Sequence, residues 1–101
     1  MSKEFQDFLK TFPDAGKAYL RLFQAVMDRP ALDAKTRQLI LIALMTAQNY
    51  PQGVKAHIPQ AVKAGATKEE ILDDVLTPLP VSGINGILEC LSAVLEQFSK
   101  E

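Results

Sequence analysis

The chain has 101 residues, 48% of them hydrophobic and 23% charged, with a formal net charge of −1. These proportions are those of one folded globular domain and exclude a disordered or membrane-embedded chain. The mixed charges predict no nucleic-acid partner, the charged start predicts no export, and no apolar run reaches the ~20 residues that span a bilayer. We therefore expect a single-domain cytoplasmic protein with no membrane partner.

The first third of the chain predicts two amphipathic helices. Four side chains recur at the spacing of one helical face: Phe5, Phe8, Leu9 and Phe12. Ser2 is a good N-cap for this first helix, and Pro13 should close it. A second helix is expected to follow and to end at Asp28-Arg29-Pro30.

A third helix is expected from Ala34 to about Asn49, with Asp33 as its N-cap. Its segment from Leu39 to Met45 is apolar on all sides, which is typical of a helix at the centre of a fold. A buried strand is the alternative for such a run. The flanking residues extend the segment to helical length, so the pattern favours a helix.

A fourth helix is predicted to begin at Pro51, because proline is well tolerated in the first turn. Pro59 then falls inside this helix. Its ring removes one backbone hydrogen bond and clashes with the carbonyl group of Lys55, which predicts a kink or local opening over residues 55–59. Gly65 is placed to end the helix in a left-handed conformation.

The remaining sequence predicts two more helices. The segment from Thr67 to Glu70 is a capping box that starts the fifth, and the two prolines of residues 77–80 should end it in extended geometry. Asp73 and Asp74 are expected on its solvated face, although a carboxylate site remains an alternative. The last helix should run from Ile84 to Phe98. The fold class is therefore all-α, with about six helices.

Few residues of this chain can carry chemistry. It has one cysteine, Cys90, which excludes an internal disulfide and is expected to be a small core residue. It has one histidine, His57, the only ready general acid or base near neutral pH. The alternative for His57 is a partly buried ring bonded to a backbone carbonyl group near Pro59. No cofactor and no histidine- or cysteine-based metal site is predicted.

Two stretches, Leu32 to Ile40 and His57 to Ile71, resemble the core of the AhpD-like (carboxymuconolactone decarboxylase) superfamily. Redox members of that superfamily read E-x11-C-x2-C-x3-H, followed by a helix ending in A-G-A-T-x-E-E-I. In this register His57 is kept, while Gly53 and Tyr50 stand at the cysteine positions and Gln38 stands at the glutamate position. The resemblance implies one AhpD-like domain over residues 1–101, with a site at Gln38, Tyr50 and His57.

The resemblance implies three alternative functions. The first is an alkylhydroperoxidase-like antioxidant activity, which the sequence argues against because Cys90 is the only thiol. The second is acid/base chemistry on a small carboxylate or lactone, with His57 as the proton donor and Lys55 or Arg37 holding the carboxylate. The third is non-catalytic binding of a small ligand, with Tyr50 as a stacking face. The resemblance also implies a homo-oligomer, a trimer or hexamer, joined through the apolar third and last helices.

Overall fold

The computed structural model describes residues 2–99, and every regular element in that range is a helix, which confirms the all-α prediction. The helices are α1 (Lys3–Thr11), α2 (Pro13–Met27), α3 (Ala34–Ala47), α4 (Pro51–Lys63), α5 (Lys68–Leu76), α6 (Leu79–Ser82) and α7 (Asn85–Ser99). Across residues 2–99, no helix has the length and apolar content needed to cross a membrane. The chain divides into two compact units, with the boundary between Asp33 and Ala34.

The N-terminal unit is a pair of helices with a small aromatic cluster. The Ser2 hydroxyl accepts a hydrogen bond from the Phe5 amide at 3.2 Å, which confirms the predicted N-cap of α1. Pro13 closes α1 and occupies the first turn of α2, where its missing N–H costs nothing. The Tyr19 ring meets the rings of Phe5 and Phe8 edge-on, at centroid distances of 5.6 and 6.2 Å.

In the C-terminal unit, α3 packs against α4, α5 and α7. The predicted run from Leu39 to Met45 is helical, so the strand alternative is wrong. The buried apolar core draws on α3, α4, α5, α7 and the loop after α4, and consists of Ile42, Val54, Ile58, Ala61, Ala66, Ile71, Val75, Ile87, Cys90, Ala93 and Val94. Cys90 is fully buried, as predicted. The buried positions of α3 belong to one side of the helix, since Ile40 and Leu44 on the other side stay exposed.

The start of α7 lies against the end of α3 at Gly86. A Cβ atom built on Gly86 would overlap the backbone carbonyl oxygen of Thr46, and it would lie 3.1 Å from the Thr46 carbonyl carbon. The contact therefore requires a residue without a side chain. Thr46 is itself fully buried, and its hydroxyl donates to the Ile42 carbonyl group at 2.8 Å.

The predicted signals at the end of α4 and at the start of α5 act as expected, and α3 ends two residues earlier than expected. Gly65 has a φ of 105°, in the left-handed region that glycine tolerates, and it follows the end of α4. The Thr67 hydroxyl accepts from the Glu70 amide at 3.1 Å, and the Glu70 carboxylate accepts from the Thr67 amide at 2.9 Å, which completes the capping box. α3 stops at Ala47, before Asn49, which has a φ of 60°.

Two expectations about prolines are wrong. Residues 77–80 do not become extended, because Pro78 is in the right-handed helical region and starts the one-turn helix α6. Proline suits such first-turn positions, where no N–H donor is needed. In addition, helical geometry continues through Pro59 to the end of α4, without the expected opening. Pro59 lies on the exposed side of α4, where the unpaired carbonyl group of the previous turn can be hydrated.

Asp74 also departs from the expectation that it lies on a solvated face. Asp73 is exposed, but Asp74 is half-buried, and within residues 2–99 its Oδ2 is a buried atom without a hydrogen-bond partner. Burial raises the pKa of the Asp74 carboxyl group from 3.8 to about 7, because the charged form loses hydration. The folded state therefore favours the protonated, neutral form of the Asp74 carboxyl group.

This burial predicts that Asp74→Asn raises stability above neutral pH. The folded-state pKa is raised, so the folded chain binds the proton more tightly, and the stability that the Asp74 carboxyl group contributes should be lost as pH rises from roughly 4 to 7. At pH 8 we expect Asp74→Asn to be more stable by roughly 1 kcal/mol, a figure discounted because the carboxyl group is only half-buried. Thermal melts across this pH range test the prediction, and Asp73→Asn is the matched control. A difference in melting temperature between Asp74→Asn and the wild type that stays constant over this range would contradict it.

Candidate functional site

The side chains of Gln38 and His57 are joined directly. Nδ1 of His57 lies 2.9 Å from Oε1 of Gln38, across the contact between α3 and α4. Gln38 is in the second turn of α3 and is 9% exposed, whereas His57 is half-buried in the middle of α4. The family motif implies that these two residues share one site, and in the structure a short hydrogen bond joins them.

The hydrogen bond fixes the chemical form of the imidazole. A carbonyl oxygen can only accept, so the proton of this contact sits on Nδ1, and in the neutral ring the lone pair is on Nε2. Burial lowers the pKa of His57 from 6.5, because the charged ring loses hydration. The site therefore favours a neutral His57 whose basic atom is Nε2.

An open pocket of about 320 Å³ lies next to Gln38, and among the described residues neither His57 nor Tyr50 is part of its lining. It is lined by Ala34, Gln38, Gln60, Lys63 and Ala64. The first two belong to α3, and the others belong to the last turns of α4 and the residue after it. Because Gln38 both lines the pocket and bonds His57, a ligand in the pocket would contact the residue that holds the His57 ring.

Tyr50 is held close to the same part of α4 by a glycine. A Cβ atom at Gly53 would lie 2.5 Å from Cδ2 and 2.6 Å from Cε2 of Tyr50 and 2.7 Å from Sδ of Met45, so the Tyr50 ring and the Met45 side chain together cover the space that a side chain at Gly53 would need. Gly53 and His57 are four residues apart and share one face of α4. The Tyr50 ring, 39% exposed, therefore lies about one helical turn from the His57 position.

In the register of the family resemblance, Tyr50 and Gly53 stand at the two cysteine positions. The Tyr50 ring takes up part of the space that a side chain at Gly53 would need, which predicts that the two positions are coupled. Gly53→Cys alone should lower stability by about 1 to 2 kcal/mol, because the Tyr50 ring must move. The double replacement Tyr50→Cys with Gly53→Cys should recover about 1 kcal/mol of that loss.

Urea unfolding of the two single variants and the double variant, under reducing conditions, measures this coupling. Gln52→Cys, at an exposed position of the same helix, is the control for the thiol itself. Additive effects of the two replacements would show that the ring and Gly53 do not share this space.

Two other residues of the sequence analysis lie in different surroundings. The thiol of Cys90 is buried in the core, and burial raises its pKa, which disfavours the reactive thiolate. The ammonium group of Lys55 lies 3.5 Å from the carboxylate of Glu96 on α7. In the part of the chain that the structure describes, no cluster of three or more His, Cys, Asp or Glu side chains is arranged to hold a metal ion.

Sequence reasoning did not find Gln60 and Lys63, which lie three and six residues after His57. Polar residues at this spacing on a helix are ordinary on a solvated face, so no pattern distinguished them. Only the packing of the α4 C-terminus beside the start of α3 shows that they share a pocket with Gln38.

Comparison with known proteins identifies the family of this chain. Residues 13–96 match the model of the carboxymuconolactone decarboxylase family. Since the match covers most of the chain, the protein belongs to the carboxymuconolactone decarboxylase family. This finding confirms the resemblance to the AhpD-like superfamily. No solved structure matches the chain significantly.

The similar proteins are themselves described as uncharacterised. Two are from Paracoccus denitrificans: protein 4 in the cox locus is 34% identical over 57% of this chain and 52% of its own length, and a 15.0 kDa protein in the nqo9-nqo10 intergenic region is 32% identical over 78% and 60%. A protein of Methanocaldococcus jannaschii is 28% identical over 86% of this chain and 81% of its own length. The chain thus spans about half to three fifths of the two Paracoccus relatives.

Proposed function

We propose that the chain binds a small carboxylate or lactone in the pocket beside Gln38 and acts on it by acid/base chemistry through His57. The observation that carries this proposal is the 2.9 Å hydrogen bond between Gln38 and His57. It supports a fixed tautomer, and burial supports a neutral ring at pH 7. A neutral imidazole with a defined basic nitrogen is the form that a general base needs.

Gln38 limits how His57 can move protons. A glutamate at this position could take the Nδ1 proton, but the amide of Gln38 accepts the hydrogen bond without being protonated. His57 would therefore take a proton at Nε2 and return it from the same atom. The expected chemistry is proton transfer at a carbon next to the carbonyl group of the ligand, without a relay through α3.

Non-catalytic binding in the same pocket is the second candidate. It is favoured by the replacement of an ionisable acid by Gln38, which keeps the hydrogen bond and removes the relay. The two candidate functions share the ligand and differ only in whether His57 exchanges a proton with it. The antioxidant alternative gains no support from Cys90, because burial disfavours the reactive form of its thiol.

A two-stage experiment tests the proposal. A thermal-shift screen against small carboxylic acids and lactones identifies a ligand, with His57→Ala as the control. The ligand is then incubated with the protein in D2O, and deuterium incorporation at carbon is followed by NMR. Acid/base chemistry predicts incorporation that His57→Ala abolishes. Binding without incorporation would favour the non-catalytic candidate, and the absence of any ligand would contradict both.

We also propose that the chain forms a homo-oligomer, a trimer or hexamer, through α3 and α7. Each of these helices leaves apolar side chains exposed at helical spacing, Ile40 and Leu44 on α3 and Leu88 and Leu95 on α7, and Ile84, just before α7, is exposed as well. Such stripes on a small protein are typical of interaction surfaces, and a second copy of the chain is the occupant proposed here.

Light scattering at low micromolar concentration is expected to give a mass several times 11.1 kDa. Replacing both Leu44 and Leu88 by Gln should lower that mass, whereas Gln52→Glu at an exposed polar position should not. A monomeric wild type would contradict the proposed assembly.

A further inference from the structure

The pocket beside Gln38 has one charged side chain in its lining, that of Lys63. Lys63 is exposed at the last residue of α4, and within residues 2–99 no carboxylate forms an ion pair with it. The pocket thus presents a positive charge that no described acid neutralises.

Two other lysines near this part of the fold are close to carboxylates. Lys35 follows Ala34 of the pocket wall, and its ammonium group is paired with the Glu70 carboxylate at 2.8 Å. This hydrogen bond with Lys35 lowers the pKa of Glu70, which therefore stays ionised and balances Lys35. Lys55, the cation expected from the sequence to hold a carboxylate, is instead close to Glu96 on α7.

The other polar groups of the pocket can donate hydrogen bonds to an anion. Within the described residues the Gln38 side chain has one hydrogen-bond partner, His57, and this bond uses its Oε1. Its amide nitrogen carries two N–H donors, and the amide of Gln60 offers the same groups. A carboxylate is acceptor-only and can take several such bonds together with an ammonium group.

We propose that Lys63 makes this pocket selective for the carboxylate form of a small ligand over its neutral form, with Gln38 and Gln60 as hydrogen-bond donors to the carboxylate oxygens. This inference rests on the proposed function and names its ligand class. Lys63 is a specificity-determining residue here. The carboxylate would be held at Gln38, the hydrogen-bond partner of His57.

Binding of paraconate, a five-membered lactone carrying one carboxylate, tests this assignment against its neutral methyl ester. Dissociation constants are measured by NMR titration at low salt for the wild type, Lys63→Gln and Lys55→Gln. We expect the wild type to bind paraconate about fivefold to tenfold more tightly than the ester, since a charge-assisted contact in an open pocket is modest and salt-sensitive. In Lys63→Gln the two affinities should converge, while Lys55→Gln should retain the wild-type preference.

The outcomes separate this inference from the proposed function. A merely structural Lys63, stabilising the end of α4, would weaken acid and ester equally, and that result would overturn the inference. A preference for paraconate that survives in Lys63→Gln would overturn it as well, while leaving His57 chemistry open. Loss of deuterium exchange in His57→Ala with an intact Lys63-dependent preference supports both. Binding of inorganic phosphate without binding of paraconate, or binding of neither, would overturn the assignment of a carboxylate.

Discussion

Gly86→Ala is expected to lower the stability of the fold by about 3 kcal/mol. A Cβ atom at Gly86 would overlap the carbonyl oxygen of Thr46, which belongs to the backbone of a packed helix. The oxygen cannot rotate away as a flexible side chain would, so α7 must move off α3. That movement would open the buried contacts of Ile87 and Cys90.

The sign of this change in stability is informative, because the helix propensities of glycine and alanine predict the opposite sign. Alanine is favoured over glycine inside a helix by about 1 kcal/mol, so a Gly86→Ala variant without the steric contact should be more stable than the wild type. Urea unfolding measures the difference, and Ser92→Ala, at an exposed position of the same helix, is the matched control. Equal or higher stability of Gly86→Ala would show that α7 does not approach α3 in this way.

Gln38→Glu is expected to raise the pKa of His57 by roughly one to three units. The introduced carboxylate would lie about as close to Nδ1 as the Gln38 oxygen does, at 2.9 Å, and would stabilise the charged ring. The wild-type pKa is lowered by burial, so the change should convert His57 from neutral to protonated at pH 7. The ring would then serve as a general acid where the wild type provides a base.

NMR titration of the His57 ring measures this shift without ambiguity, since the chain has one histidine. Gln52→Glu makes the same chemical change at an exposed position of α4 and should move the pKa of His57 much less. A similar small shift in both variants would mean that Gln38 and His57 are not in contact in solution.

Local signals in the sequence predicted the helices well where the chemistry is local. The Ser2 cap, the capping box from Thr67 to Glu70 and the left-handed Gly65 each depend on a few neighbouring residues, so their patterns are specific. The extended geometry predicted for residues 77–80 is wrong, because proline breaks a helix in its interior but favours its first turn. Which of these effects acts depends on where the next helix begins.

The site was predictable only in part, because it depends on contacts between residues that are distant in the sequence. The spacing from Gln38 to His57 does not bring them together without knowledge of how α3 and α4 cross, and the family register supplied that knowledge. The burial of Asp74 could not be predicted, because its neighbour Asp73 is exposed and no local pattern distinguishes the two residues. The pocket residues Gln60 and Lys63 become recognisable only when the end of α4 is placed beside the start of α3.

The tautomer and pKa of His57 in the wild type test the central claim most directly. Two-bond ¹H–¹⁵N correlation spectra of the labelled protein distinguish a protonated Nδ1 from a protonated Nε2. We predict a neutral ring at pH 7 with the proton on Nδ1 and with a titration midpoint below 6.5. A ring protonated on Nε2, or a midpoint above 6.5 that Gln38→Glu leaves unchanged, would contradict the account of a neutral base oriented by Gln38.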